Sequence, residues 1–336
     1  MKQFWAMVYA RTMEFIRDRG TFFWNLLFPV VLVLGVSFAF SGNGGALFKV
    51  GVLGEPPLVE NSESFLAIEQ AEFIPYAPDS LETCLDKLRR HELDLVLDFN
   101  SERFYLNAEG KNSTLLRRLM RADASLAGFL ESTVRGEPIR YVDWLVPGVI
   151  GMNIMFSCLF GVGFVIVRYR KNCVLKRLKA TPVSALGFIS AQALSRFLIV
   201  ILTSVAVFAG TNALIRFRME GSWFLLLGIA ALGIVSMEAL GLVFAARFRS
   251  EELVSGLMNL VTLPMLALSG VFFSLEGSPE ILRTVSRALP LTHVIQAARE
   301  VMLEGAGLAQ TSPHLLFLTV FSAAALAASA ALFKWE

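Results

Sequence analysis

Six stretches of the chain are nearly unbroken apolar runs: 21–40, 144–167, 197–215, 222–246, 253–275 and 315–333. Each has about the 20 residues that a helix needs to cross the hydrocarbon of a bilayer. The pattern therefore predicts a membrane all-α protein with six transmembrane helices. Pro29, Pro147 and Pro264 fall inside these runs, where neighbouring helices can satisfy the freed carbonyls. Residues 1–20 follow a different rule. Phe4, Trp5, Val8, Tyr9, Met13, Phe15 and Ile16 fall on one half of a helical wheel, and Gln3, Arg11, Glu14, Arg17 and Asp18 on the other. A basic helix with an aromatic apolar face predicts an interfacial element lying along the membrane lipids.

Between the first two runs, residues 41–143 lose the bilayer-length pattern. A glycine-rich linker (Gly42, Gly44, Gly45) leads to a strand at 49–53, and Asp79 with Glu82 marks a helix start running to Arg90. Residues 93–99 predict another strand, with 104–106 as its partner, and 113–130 a longer helix. Alternating strands and helices predict a small α/β domain. Asn112-Ser113-Thr114 matches a glycosylation acceptor, which has no consequence in a bacterium.

Composition narrows the class. Of 336 residues, 55% are hydrophobic and only 17% charged, with mean hydropathy +0.60. A soluble protein carries about 25% charge. Disorder and a disulfide scaffold are excluded, and a net charge of +2 offers no case for nucleic acid. Cys84, Cys158 and Cys173 are too scattered for a metal or disulfide framework. Placing both termini in the cytoplasm puts at least thirteen Lys and Arg of the short segments inside, against five outside (Arg216, Arg218, Arg283, Arg287 and Arg299). That asymmetry orients the chain and sends the 41–143 domain outside. Cys84, the one cysteine of that domain, offers a labelling handle there.

The segment 168–186 holds the most pointed pattern. Six cations lie between Arg168 and Lys179; Val174, Leu175 and Leu178 form a narrow apolar stripe flanked by Lys176, Arg177 and Lys179; Thr181 and Pro182 follow. A plain positive-inside anchor accounts for the cations alone. The leucine stripe and proline stop point instead to a short surface helix that docks on headgroups or on a partner.

Val174-Leu175-Lys176-Arg177-Leu178-Lys179-Ala180-Thr181-Pro182-Val183-Ser184 resembles the loop between the second and third spans of permeases of ABC type-2 exporters. The run Pro279-Glu280-Ile281-Leu282 through Ala288-Leu289-Pro290-Leu291-Thr292, ending in Ala298-Arg299-Glu300-Val301-Met302-Leu303, is similar to the segment before their last span. The order of elements matches theirs over essentially the whole chain, and the large insert favours the drug and antibiotic exporter branch. The resemblance implies a half-transporter: a second permease chain as dimer partner, a cytoplasmic ABC ATPase subunit beneath, and ATP with Mg held by that subunit rather than by this chain. It implies a coupling role for Val174, Leu175, Lys176, Arg177, Leu178, Lys179, Thr181 and Pro182. It also implies two short outer-leaflet helices within 276–311, and a bacterial cytoplasmic membrane location. No G-x-x-x-x-G-K-[ST] run exists to cradle phosphates, so ATP hydrolysis is expected on a separate chain.

Three polar residues inside spans are candidates for a translocation path: Glu238, Asn153 and Asn259. A span carboxylate faces the bundle interior or water, either lining a path or packing through partners such as Asn259 or Ser236. The asparagines justify themselves equally by interhelical hydrogen bonds. His293 lacks an accompanying acid or nucleophile and reads as a structural hydrogen-bonder. Alternative functions are a membrane enzyme, for which no nucleophile, base and orienter can be assembled, and a membrane sensor whose external domain binds a ligand.

Overall fold

The apolar runs fold as helices whose ends depart from the hydropathy pattern wherever a neighbour buries a polar side chain. The computed structural model describes residues 2–39, 48–54, 65–67, 71–77, 80–89, 93–108, 110, 112–123, 126, 128–136, 140–180, 184–248, 250–273 and 279–332. The chain divides into two compact units, Met1–Ala39 with Tyr141–Glu336, and Phe40–Arg140.

Helix α1 (Lys2–Arg17) turns into α2 (Arg19–Ala39) through a bend of 60°. The apolar half of α1 serves two neighbours. Val8 and Phe15 are buried, whereas Trp5, Tyr9 and Ile16 stay exposed. Arg11, on the polar half of the wheel, donates to the Gly161 carbonyl at 3.3 Å. Its side chain is only 10% exposed. The helix therefore packs against protein along one edge.

The second unit is a five-stranded sheet ordered β2-β1-β3-β4-β5. Its elements are β1 (Phe48–Leu53), β2 (Ala71–Tyr76), α3 (Leu81–Arg89), β3 (Leu95–Asp98), β4 (Arg103–Asn107), α4 (Ser113–Ala122) and β5 (Leu130–Val134). β1 pairs in parallel with β2 and β3, β3 antiparallel with β4, and β4 in parallel with β5. Alternation along β1 sends Val50 and Val52 into one core with Leu116 and Met120 of α4. Leu53 turns to the other face, with Cys84 and Leu88 of α3. Helix α4 ends at Ala122 where the pattern predicted 130, and β2 and β5 were not expected. Both are edge strands; Pro75 interrupts one and Leu130 stands 61% exposed on the other, so neither shows a strong alternation. Asp79 lies outside the described residues. Cys84 is fully buried and cannot serve as the labelling handle.

The first unit continues with one helical rod, α5 (Tyr141–Cys158), a π-helical turn (Leu159–Phe164) and α6 (Val165–Lys171). Then come α7 (Val174–Lys179), α8 (Ala185–Ile215), α9 (Trp223–Arg247) and α10 (Glu251–Leu268). The short α11 (Glu280–Arg287) and α12 (Pro290–Glu304) precede α13 (Leu308–Leu332). Among the described residues, five helices are long and apolar enough to cross a membrane, or six if the bent α1–α2 pair is one span.

α8 starts at 185, not 197, because Gln192, Ser195 and Arg196 are buried rather than exposed in a loop. Ser184 caps it by accepting from the Gly187 amide at 3.1 Å. α10 stops at 268 instead of 275. Arg299 of α12 binds the Gly270 carbonyl at 2.6 Å and the Trp144 carbonyl at 3.1 Å, fixing the turn that ends it. Pro290 opens α12 at its first turn, where a missing N–H costs nothing.

Asn107 predicts a stability effect. Its amide nitrogen donates to the carbonyls of Leu88 (3.1 Å), Arg89 (3.2 Å) and Gly136 (2.9 Å), closing the end of α3 onto the sheet. Asn107→Leu should cost about 1–3 kcal/mol and speed amide exchange at the C-terminal end of α3 in the full chain. Unchanged exchange there would show that water replaces the bonds.

Candidate functional site

The core of the membrane-capable unit is α5, with Leu145, Val149, Ile154 and Met155 all inaccessible. Its polar residues organise the helices around it. Asn153 donates to the Asn25 carbonyl at 3.0 Å, and the Ser157 hydroxyl meets the Asn25 side-chain oxygen at 2.6 Å. α2 is thereby bolted to α5. Asn25 had no place in the sequence reading because its run is otherwise uniformly apolar.

Below Ser157 the helix widens into the π turn. Such turns break the regular ladder and mark functional sites frequently. Arg196 of α8 donates from Nε to the Ser157 carbonyl at 2.8 Å, and its guanidinium lies 5.1 Å over the Phe15 ring. Gly161 leaves the room: a Cβ there would sit 2.1 Å from Arg196 Nε. Gly163, likewise, would carry a Cβ 2.0 Å from the Met258 methyl of α10. The two glycines let α8 and α10 close onto the turn. Arg196 was overlooked because a hydropathy window that begins at Phe197 leaves it outside the span.

The three path candidates are not brought together. Asn153 belongs to the α2–α5 bolt. Glu238 on α9 is 3% exposed, and its Oε1 meets no hydrogen-bond partner among the described residues. Arg196 is the cation that acts on it electrostatically. Ser236 turns away to Ser322 (2.7 Å) on α13, and Asn259 is exposed on α10, so neither is the packing partner of Glu238 that the sequence offered.

The predicted docking segment divides differently from its sequence pattern. Arg168, Arg170 and Lys171 extend α6, and only Val174–Lys179 forms the short α7. Leu175 is 1% exposed, so it anchors α7 to its own chain and offers no surface. Val174 is half-buried, while Lys176 and Arg177 are exposed. Thr181 and Pro182 lie outside the described residues, as do the side chains of Leu178 and Lys179. Arg170 is buried. It donates to the Ala245 carbonyl at 3.0 Å, to Ala246 at 3.2 Å and to Phe248, capping the C-terminus of α9. The Lys171 ammonium lies 3.9 Å from Glu251 at the start of α10. The α6–α7 elbow is thus tied to the α9–α10 corner.

Among the described residues, two cavities of this unit bear on function. One, of about 450 Å3 between α5, α8, α9 and α12, is lined by Ile154, Phe208, Trp223 and Ala298, with no charged residue. The other, of about 590 Å3, lies beside the π turn and is lined by Arg11, Arg168, Arg196, Glu14, Asp18 and several phenylalanines.

His293 is not alone. Its Nδ1 is 2.8 Å from His314 Nδ1, whose ring reaches Glu300 at 3.1 Å, while its Nε2 faces the Arg287 carbonyl at 2.8 Å. The sequence hid this because His314 sits 21 positions away, on α13. Burial pulls the His293 imidazole below its ordinary range, with the His314 charge acting the same way against the Arg287 carbonyl.

Among known proteins, residues 105–303 match the family described as ABC-2 type transporter. The chain is 25% identical to the inner membrane transport permease YhhJ of Escherichia coli over 58% of its own length and 53% of that protein's. It is 26% identical to ABC transporter G family member 20 of Dictyostelium discoideum over 84% of its length, which is 37% of that chain. It therefore spans about half, or less, of the curated relatives it matches.

Arg170→Ala should destabilise the purified chain by about 2–4 kcal/mol, because charged hydrogen bonds to three carbonyls are lost. Arg170→Lys should recover part of it; equal melting temperatures for all three would refute the capping role. For His293 the sign is fixed by linkage. The unfolded chain binds the proton more readily, so this group's stabilisation is complete above about pH 6.5 and declines as pH falls below that. His293→Phe should flatten the acid limb of the melting profile relative to the parent, and parallel profiles would contradict it.

Proposed function

The chain belongs to the ABC-2 type transporter family, and from that membership we propose that it is the membrane-spanning permease of an ATP-driven exporter. Hydrolysis takes place on a separate cytoplasmic ATPase subunit, and two permease chains pair in the bacterial inner membrane with all four termini cytoplasmic. The cargo is a lipophilic or amphipathic compound. The 450 Å3 cavity supports this class, since its lining is apolar and aromatic apart from Ser204 and Asn212 and carries no charge.

The observation that carries the reading is the braced elbow. Motion in a separate subunit reaches the spans only through a contact that binds and resists bending. Exposed Lys176 and Arg177 offer the contact, buried Leu175 holds α7 in place, and Arg170 passes displacement to α9. Because surface ion pairs contribute about 0–1 kcal/mol each, the cations tune docking and the apolar anchor makes it stiff. Leu178, Thr181 and Pro182 complete the segment in this proposal.

Purified with its ABC ATPase, the Lys176→Glu/Arg177→Glu variant should bind that ATPase about tenfold more weakly at low salt, with the deficit shrinking as salt rises. Leu175→Ser should leave ATPase bound but stimulated hydrolysis uncoupled from export. If both variants export at the parental rate, α7 transmits nothing. For orientation, Leu115→Cys on the exposed side of α4 should react with an impermeant maleimide in intact spheroplasts, and exposed Cys173 only after permeabilisation. The reverse order would invert the topology.

A further inference from the structure

We infer that the 590 Å3 cavity beside the π turn is a recognition site for the anionic headgroup of an amphiphile, a phosphate, sulfate or carboxylate attached to an apolar tail. The inference rests on the permease reading and names the class of cargo, or of regulatory lipid, that enters from the leaflet at the Lys171 end of the spans.

The cavity brings together guanidiniums from three elements that are far apart in sequence: Arg11 on α1, Arg168 on α6 and Arg196 on α8. Their states differ. Arg11 is neutralised by Glu14 at 2.7 Å, and Glu14 also accepts from the Tyr169 hydroxyl at 2.6 Å. Asp18 also lines the cavity. Arg196 is only 6% exposed, yet among the described residues it forms no ion pair; its partners are the Ser157 carbonyl and the face of Phe15. Glu238 acts on it only at a distance, so no carboxylate touches the guanidinium and its remaining N–H donors are open to an oxoanion in the cavity. Arg168, which also lines the cavity, is exposed and lies 5.1 Å over the Phe164 ring; Glu14 acts on it at a distance, but it forms no ion pair among the described residues. Two planar guanidiniums around one space suit an oxoanion, whose oxygens accept paired N–H donors.

Apart from Asn25 and Ser157, the rest of the lining is apolar and aromatic. Phe156 of α5 and Phe160 of the π turn stack at 6.0 Å and line the cavity together with Phe15 and Phe164. A soluble anion would leave that wall unused, whereas an amphiphile covers both ends. The π turn is what makes the site: only the glycine at 161 lets the Arg196 guanidinium lie against the main chain while lining the cavity.

The test uses the full chain in phosphatidylcholine nanodiscs and two probes with the same fluorescent tail, lysophosphatidic acid and lysophosphatidylcholine. The parent should bind the anionic probe about tenfold more tightly, and Arg196→Gln and Arg168→Gln should each remove most of that preference. Arg216→Gln, at the opposite end of α8, should leave it intact. If Arg196→Gln does not fold, the exposed Arg168→Gln carries the test. Displacement by dodecyl sulfate but not by millimolar inorganic phosphate assigns the site to amphiphiles. Displacement by inorganic phosphate overturns that assignment, and equal affinity for the two probes overturns the site. Equal affinity with ATPase docking intact would sink this inference and leave the permease reading standing; headgroup preference in a chain that binds no ATPase would do the opposite.

Discussion

The membrane-capable unit depends on how its central helix is widened and then filled. At the π turn the rod formed by α5 and α6 departs from the regular ladder, and two of its carbonyls accept from guanidiniums of other helices. Arg196 takes Ser157 and Arg11 takes Gly161. In an apolar interior a buried carbonyl without a donor, or a guanidinium without an acceptor, costs several kcal/mol. Each group therefore holds the other in place, and α1, α5 and α8 are fixed by the same few atoms.

The consequences spread outward from that point. α1 cannot float in the interface as an independent amphipathic helix, because Arg11 and the Thr12 hydroxyl, 2.8 Å from Ser195, attach it to the bundle. α2 is held by Asn25 one turn higher. Below, the rod carries Arg170 to the end of α9 and Lys171 toward α10. A push on α7 thus meets a connected set of helices rather than a hinge. The same widening opens the cavity at the level of the cations.

At the other end of the rod, Arg299 performs a similar service. It lies 3.5 Å over the Trp144 ring and binds the carbonyls of Trp144 and Gly270. The helical pair α11–α12 is joined in this way to the start of α5 and the end of α10. A cation near each end of one rod, each satisfied by main-chain carbonyls rather than carboxylates, keeps charge inside the unit without requiring buried ion pairs.

Hydropathy alone determined the broad architecture, because apolar runs of bilayer length have few other ways to satisfy their backbone than as helices. Residues 49–53, 93–99 and 104–106 were legible as strands for a similar reason: central strands carry alternation strong enough to read. Tertiary structure decided what happened at the margins. Whether Arg196 ends a span or lies buried within one depends on the Ser157 carbonyl and Phe15, neither near it in sequence. Whether Leu175 docks a partner or anchors its own helix depends on which side of α7 meets the bundle; the stripe is the same in both cases. The edge strands β2 and β5 were invisible because neither alternates strongly, and the His293–His314 contact because its two residues lie 21 positions apart on different helices. A sequence records each residue's solvation preference, but a buried polar group's role is set by the neighbour that satisfies it, and only the folded chain supplies that neighbour.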